Sequence, residues 1–133
     1  MRTQRCAEAD AATRLRHAHR FIDVAELAAE EGEPGEYASP AAALAVLAGI
    51  AACDASCCKA LGWRSRGQDH RAAVELMEEI EPGGRKAAQS LTRLLGFKDA
   101  AHYGFRDIGG QNLKSALRQA RDLIAFAEAV MQR

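Results

Sequence analysis

The sequence predicts an all-α fold, a five-helix antiparallel bundle, and three observations carry that expectation. Apolar residues recur every three or four positions along most of the chain, which is the spacing of one helical face. Clusters of glycine and proline cut this periodicity into separate pieces. The pieces are filled by Ala, Leu, Arg and Glu, all strong helix formers, and no stretch alternates as a strand would.

The first helix is expected from about Thr3 to Glu31, on a face made by Ala7, Ala11, Leu15, Ala18, Ile22, Ala25 and Ala29; Gly32 to Glu36 then breaks it. Ser39 at the N-cap and Pro40 in the first turn start the second helix, which runs to about Leu61. It is apolar all round as far as Cys53, so it should be buried on most sides, with its alanines letting neighbours approach closely. Gly62 stops it and Arg64 to Gly67 forms a loop. Asp69 caps a third helix with an apolar face of Ala73, Leu76, Met77 and Ile80, ended by Pro82-Gly83-Gly84. The fourth starts near Arg85, uses Ala88, Leu91, Leu94 and Leu95, and continues through His102 to Gly104, although Gly96 weakens it by about 1 kcal/mol relative to alanine. The last, about Gln111 to Met131, carries an unbroken stripe from Leu113 to Val130.

A chain of 133 residues is most simply one domain, 1–133, able to bury a core without metal or disulfide. Hydrophobic residues at 48% against 27% charged set it apart from disordered chains. Eighteen basic and eighteen acidic residues cancel, which argues against a general DNA-binding face. The charge is segregated, however: Lys59, Arg64, Arg66 and Arg71 face only Asp69 in one stretch, while Glu75, Glu78, Glu79 and Glu81 follow with no base, so a local anion site is allowed. The start of the chain is too charged for a secretory signal, and the uncharged run from Ser39 to Cys53, 15 residues, is short for a membrane span. Three of the four cysteines (Cys53, Cys57 and Cys58) crowd one helix while Cys6 stands apart, which points to reduced thiols in a cytoplasmic protein and to no membrane partner.

Two polar clusters can carry chemistry. Arg64 and His70, with five residues between them, could clamp a phosphate and accept a proton from a ribose hydroxyl, with Arg66 and Asp69 beside them; on the structural alternative Arg64 and Arg66 sit on a solvated loop and His70 in the first turn of a helix. Lys98 and His102 share a helical face, continue the stripe of Leu91, Leu94 and Leu95, and have Asp99 as an orienter and Tyr103 as a hydroxyl donor; alternatively they complement a helix C-terminus. Asp54 interrupts the apolar second helix and needs a cationic partner, for which Arg64, Arg66 and Lys98 are the candidates. Cys53 and Cys57 lack the second ligand pair that zinc would need and read as packing residues, so neither metal nor cofactor is expected. Arg14, Arg16 and Arg20 read as a solvated face, and Trp63 as a packing anchor.

Three blocks in order, Ala52-Cys53-Asp54-Ala55-Ser56-Cys57-Cys58, Arg64-Ser65-Arg66-Gly67-Gln68-Asp69-His70 and Leu95-Gly96-Phe97-Lys98-Asp99-Ala100-Ala101-His102-Tyr103-Gly104, resemble the HEPN superfamily (higher eukaryotes and prokaryotes nucleotide-binding), in particular its small stand-alone actinobacterial members. The resemblance covers a core of about 40–131. It implies a helical bundle, homodimerisation, RNA or nucleotide as a ligand, a cognate protein partner, and toxin or defence roles. Ribonuclease members pair an Arg with a His a few residues on, as Arg64 and His70 do here. That implies a metal-independent endoribonuclease with His70 or His102 as base, Arg64 or Lys98 as phosphate clamp, and Asp54 or Asp99 as orienter. Ser65 stands where such nucleases commonly have Asn, Asp or His, and the superfamily's non-catalytic binding and scaffold members form the alternative.

Overall fold

A computed structural model of the chain describes residues 2–67 and 69–133; Gln68 of the first polar block lies outside them. The elements run β1 (Thr3–Arg5), α1 (Glu8–Ala29), α2 (Ala38–Leu61), β2 (Trp63–Ser65), α3 (His70–Glu78), α4 (Gly84–Leu95), α5 (Lys98–Tyr103) and α6 (Gly110–Met131). The five longer helices form the all-α bundle that the periodicity predicts, and α5 is a short added segment.

Helix α2 is the centre of the fold because its residues are small. Ala41, Ala45, Ala48, Ala52 and Ala55 are fully buried, and the bulk that packs onto them comes from the neighbouring helices: Leu76 and Met77 of α3, Leu91 and Leu94 of α4, and Leu123 of α6. At Gly49 the side chains of Leu94 and Leu123 come so close that even a Cβ would collide. By length and composition alone α2 could cross a membrane, but 78% of its most apolar window is buried inside the bundle. It ends as expected at Gly62, whose positive φ of 82° suits glycine and whose N–H reaches back to the Cys57 and Cys58 carbonyls.

Several local expectations are corrected. The first three residues of the anticipated opening helix are instead β1, which pairs antiparallel with β2 in the register Thr3↔Ser65, Gln4↔Arg64 and Arg5↔Trp63. The stretch read as a loop at Arg64 is therefore half ribbon, held further by Arg66 N–H donating to the Arg2 carbonyl at 2.9 Å. Trp63 is 42% exposed on that ribbon and anchors little. Cys6 and Cys58 are joined in a disulfide, which corrects the expectation of four reduced thiols and removes the cysteine argument for the cytoplasm. Cys6 stands apart in sequence, but β1 carries it back to the end of α2, where its N–H meets the Gly62 carbonyl at 3.0 Å. Helix α2 starts two residues before Pro40, and Ser39 does not cap it; its Oγ accepts from the Ile108 N–H at 3.0 Å and ties down the segment before α6.

The fourth helix also stops early. At Gly96 and Phe97 the ladder tightens, with Phe97 N–H bonding the Leu94 carbonyl at 3.1 Å, three residues back. The chain then restarts as α5, whose first closing bond runs from the Ala101 N–H to the Phe97 carbonyl at 2.9 Å. Phe97 packs against the core at this joint, so the glycine supplies the weak point and the aromatic ring supplies the pull.

Gly84, buried at the junction of α3 and α4, leaves no room for a methyl group, because a Cβ there would collide with the Met77 carbonyl oxygen, a backbone atom that cannot rotate away. Gly84→Ala is expected to lower stability by about 1–3 kcal/mol in chemical denaturation. Gly110→Ala, in open space in the first turn of α6, is expected to leave it unchanged or slightly raised.

Candidate functional site

Asp54 is the polar residue on which the site is built. Its neighbours on α2 are alanine, serine and cysteine, and the residue is only 5% exposed. A bare carboxylate there would be costly, so the fold brings two guanidinium groups to it. Arg14 of α1 donates from Nε to Oδ2 at 3.0 Å, and Arg64 of β2 donates from Nη1 to the same oxygen at 3.1 Å. Burial pushes the Asp54 carboxyl above its ordinary range, and the charges and hydrogen bonds of Arg14 and Arg64 pull it partly back.

Both guanidiniums are held from their far sides. Arg14 Nη1 meets His17 Nδ1 at 3.2 Å, one turn along α1. Arg64 Nη2 reaches Gln4 Oε1 at 3.4 Å, across the pair that the ribbon register makes. The β1–β2 ribbon is thus the device that aims Arg64 at the helix.

The second cluster joins at His70. Asp69 caps α3 as expected, accepting the Ala72 N–H at 3.0 Å, and this fixes His70 as the first residue of the helix. Lys98, opening α5, lies with Nζ 2.9 Å from His70 Nε2. An ammonium group only donates, so His70 accepts through Nε2 and carries its proton on Nδ1. Burial lowers the His70 pKa, the Lys98 charge lowers it further, and Asp69 acts in the opposite direction.

Arg14, Cys53, Asp54, Arg64 and His70 line a cleft of about 160 Å³ between α1, α2, α3 and the ribbon, closed below by Ile50 and Leu91. Typical small-molecule pockets span about 300–1,000 Å³, so this one fits a single phosphate-sized group and not a whole nucleotide. Of the charged residues that line the cleft, Arg14 and Arg64 outnumber Asp54, which gives it a positive balance. Each guanidinium has five N–H donors, and the bonds above leave some of them over for an incoming anion. Cys53 is an inert wall: its hydrogen bond with Cys57, then burial, then nearby charge hold its thiol well above the usual range.

The structure therefore gathers Asp54, Arg64, His70 and Lys98 and leaves out the other expected participants. Arg66 and Asp99 are exposed, Asp69 is engaged as a cap, and Tyr103 is 73% exposed. His102 does not line the cleft. Its ring sits 5.8 Å from that of Tyr103, and its Nε2 is buried without a hydrogen-bond partner among the described residues. Lys98 and His102 both lie on α5, four residues apart, but the break at Gly96 and Phe97 ends the continuity expected with the Leu91, Leu94 and Leu95 stripe, and Lys98 reaches His70 of α3. Arg14, read as part of a solvated face, is the residue that sequence reasoning missed. The signal available was its position between Ala11 and Ala18 on the buried side of α1, a setting in which an arginine needs an anion.

Asp54→Ala strands two cations around a site built for a carboxylate. Breaking such a pair costs about 3–5 kcal/mol when fully buried, and the partly exposed guanidiniums place the expected loss near the lower figure, readable by urea denaturation. His70 gives a pH dependence of known sign. Its folded-state pKa lies below the unfolded value of about 6.5, so its contribution is complete above that value and is lost as pH falls through the lowered one. Wild type should lose more stability than His70→Gln on acidification across that window, and the two should run parallel above it. No protein-family model matches the chain, and no curated protein matches it.

Proposed function

We propose that this protein is an RNA- or nucleotide-binding helical module of HEPN type, which seats one phosphate of its ligand in the cleft beside Asp54. The observation that supports this reading most is that Arg14 and Arg64 line an opening sized for a phosphate, with Lys98 held against its His70 wall. The rest of the ligand would lie outside the cleft, where Arg66, between the lining residues Ser65 and Gly67, is exposed. A neutral overall charge fits a local contact of this kind better than tracking along a nucleic-acid backbone.

The geometry favours binding over cleavage. A general base needs a free lone pair, and the Nε2 lone pair of His70 is occupied by Lys98. Cleavage would first require the ammonium to move onto the phosphate. A second reading, a non-catalytic scaffold, draws on the way Asp54 bolts α1, α2 and β2 together through its two arginines.

Labelled single-stranded RNA incubated with the purified protein in EDTA separates these readings. The expected result is saturable binding, competed by inorganic phosphate, with the RNA left intact. Lys98→Ala should weaken binding about tenfold, the worth of one charge-assisted hydrogen bond. Absence of binding by the wild type, or equal binding by Lys98→Ala, would remove the phosphate-site reading and leave the scaffold. Cleavage that disappears in the His70→Ala, His102→Ala double variant would replace the binding module with an endoribonuclease.

A further inference from the structure

We propose that the Cys6–Cys58 disulfide is a redox latch on the β1–β2 ribbon and, through the ribbon, on Arg64: a dithiol that reduces it lets β1 lift away from the rest of the fold. The latch itself stands on the geometry of the ribbon, and its effect on a ligand rests on the phosphate-site reading of the cleft.

The disulfide is the strongest tie that holds β1. All three residues of the strand are exposed, so none of its side chains is anchored in the core. An isolated two-stranded ribbon is marginal at best in water, and this one has three residue pairs. Two backbone bonds flank it, Arg66 N–H to the Arg2 carbonyl and Cys6 N–H to the Gly62 carbonyl. Lys59 and Glu8 pair close by, but Glu8 is exposed, and an ion pair there is screened by salt and contributes little. The covalent bond fixes Cys6, the residue that follows β1, to the last turn of α2.

The ribbon in turn supports one side of the cleft. Gln4 of β1 accepts from Arg64, and Arg64 reaches Asp54 from β2. Arg14, the other partner of Asp54, comes from α1, whose Ala18, Ile22 and Ala25 are packed into the core without help from the ribbon. Loss of β1 therefore loosens one guanidinium and spares the other. Residues 2–6 precede α1, so they can fray as a chain end while the bundle stays folded.

The chemistry is thiol–disulfide exchange. Cys6 is half-buried and Cys58 only 3% exposed, so an incoming thiolate meets the Cys6 sulfur first. Its attack forms a mixed disulfide with Cys6 and breaks the bond to Cys58, which leaves as a thiolate and is protonated. The second thiol of the dithiol, as its thiolate, then attacks the reagent's own sulfur in the mixed disulfide. Cys6 leaves as a thiolate and is protonated, and the reagent departs as a disulfide, having passed two electrons and two protons to the protein. Cys53 and Cys57 are buried on α2 and hydrogen-bonded to each other, which keeps them out of the exchange.

Amide hydrogen exchange and binding of inorganic phosphate, each measured on the full chain with and without dithiothreitol, test the latch. On reduction the Cys6 and Arg66 amides should exchange about tenfold faster or more, while amides of α2 and α6 stay protected. Phosphate affinity should fall about tenfold, the worth of one charge-assisted hydrogen bond from Arg64. Cys6→Ser should match the reduced protein and ignore dithiothreitol. Four free thiols after treatment with oxidised glutathione, or ribbon amides that exchange equally in both states, overturn the proposal. So does a response to dithiothreitol that persists in Cys6→Ser, or a loss of protection in α2 and α6 on reduction, which makes the bond a staple of the whole bundle. Phosphate bound equally well in both states overturns the link to Arg64. Absence of phosphate binding by the oxidised wild type removes the phosphate-site reading instead, and amide exchange then decides the latch alone.

Discussion

One carboxylate in the wrong place organises this molecule. Asp54 sits on the most apolar helix of the chain, and the desolvation of its charge has to be met from outside that helix. Meeting it brings Arg14 from the preceding helix and Arg64 from the ribbon that follows. The two arginines cannot both reach Oδ2 unless α1 lies along α2 and the chain after Gly62 turns back upon it. The positive cleft is then a by-product of the pairing: two cations were recruited for one anion.

The alanine-rich surface of α2 makes that arrangement sterically possible. Small side chains let α1 and α6 lie close, and the large residues of α3, α4 and α6 fill what remains. Close packing on every side also leaves water little access to the inner wall of the cleft, where Ile50, Ala73 and Leu91 stand. Charged hydrogen bonds there act in a lower effective dielectric than they would at the surface, which strengthens both the Asp54 pairing and any anion that enters.

The helical scaffold was legible because its signal is local. Periodicity located the helices, Gly62 stopped α2 where expected, and Asp69 capped α3 as expected. What escaped notice depends on partners distant in the chain. Three-residue strands carry no alternation long enough to read, and β1 exists only because β2 lies beside it. The Cys6–Cys58 bond follows from that pairing and not from any cysteine spacing. The break between α4 and α5 turned on how Phe97 packs, which no propensity contains, and it took Lys98 off the stripe of α4. Asp54 was recognisable as a charge needing a partner, and Arg64 as one candidate. Arg14 was passed over because its neighbours Arg16 and Arg20 are exposed while it alone turns inward.

The contacts that assemble the cleft span long stretches of chain. Arg14 and Asp54 are 40 residues apart, His70 and Lys98 are 28 apart, and Gln4 and Arg64 are 60 apart. Such closures fall late in folding and open early in native-state fluctuations, whereas single helices persist through both. Occupancy of this cleft would therefore report on local opening of the β1–β2 ribbon well before any loss of helical signal, so that ligand affinity and far-ultraviolet ellipticity would part company on gentle warming.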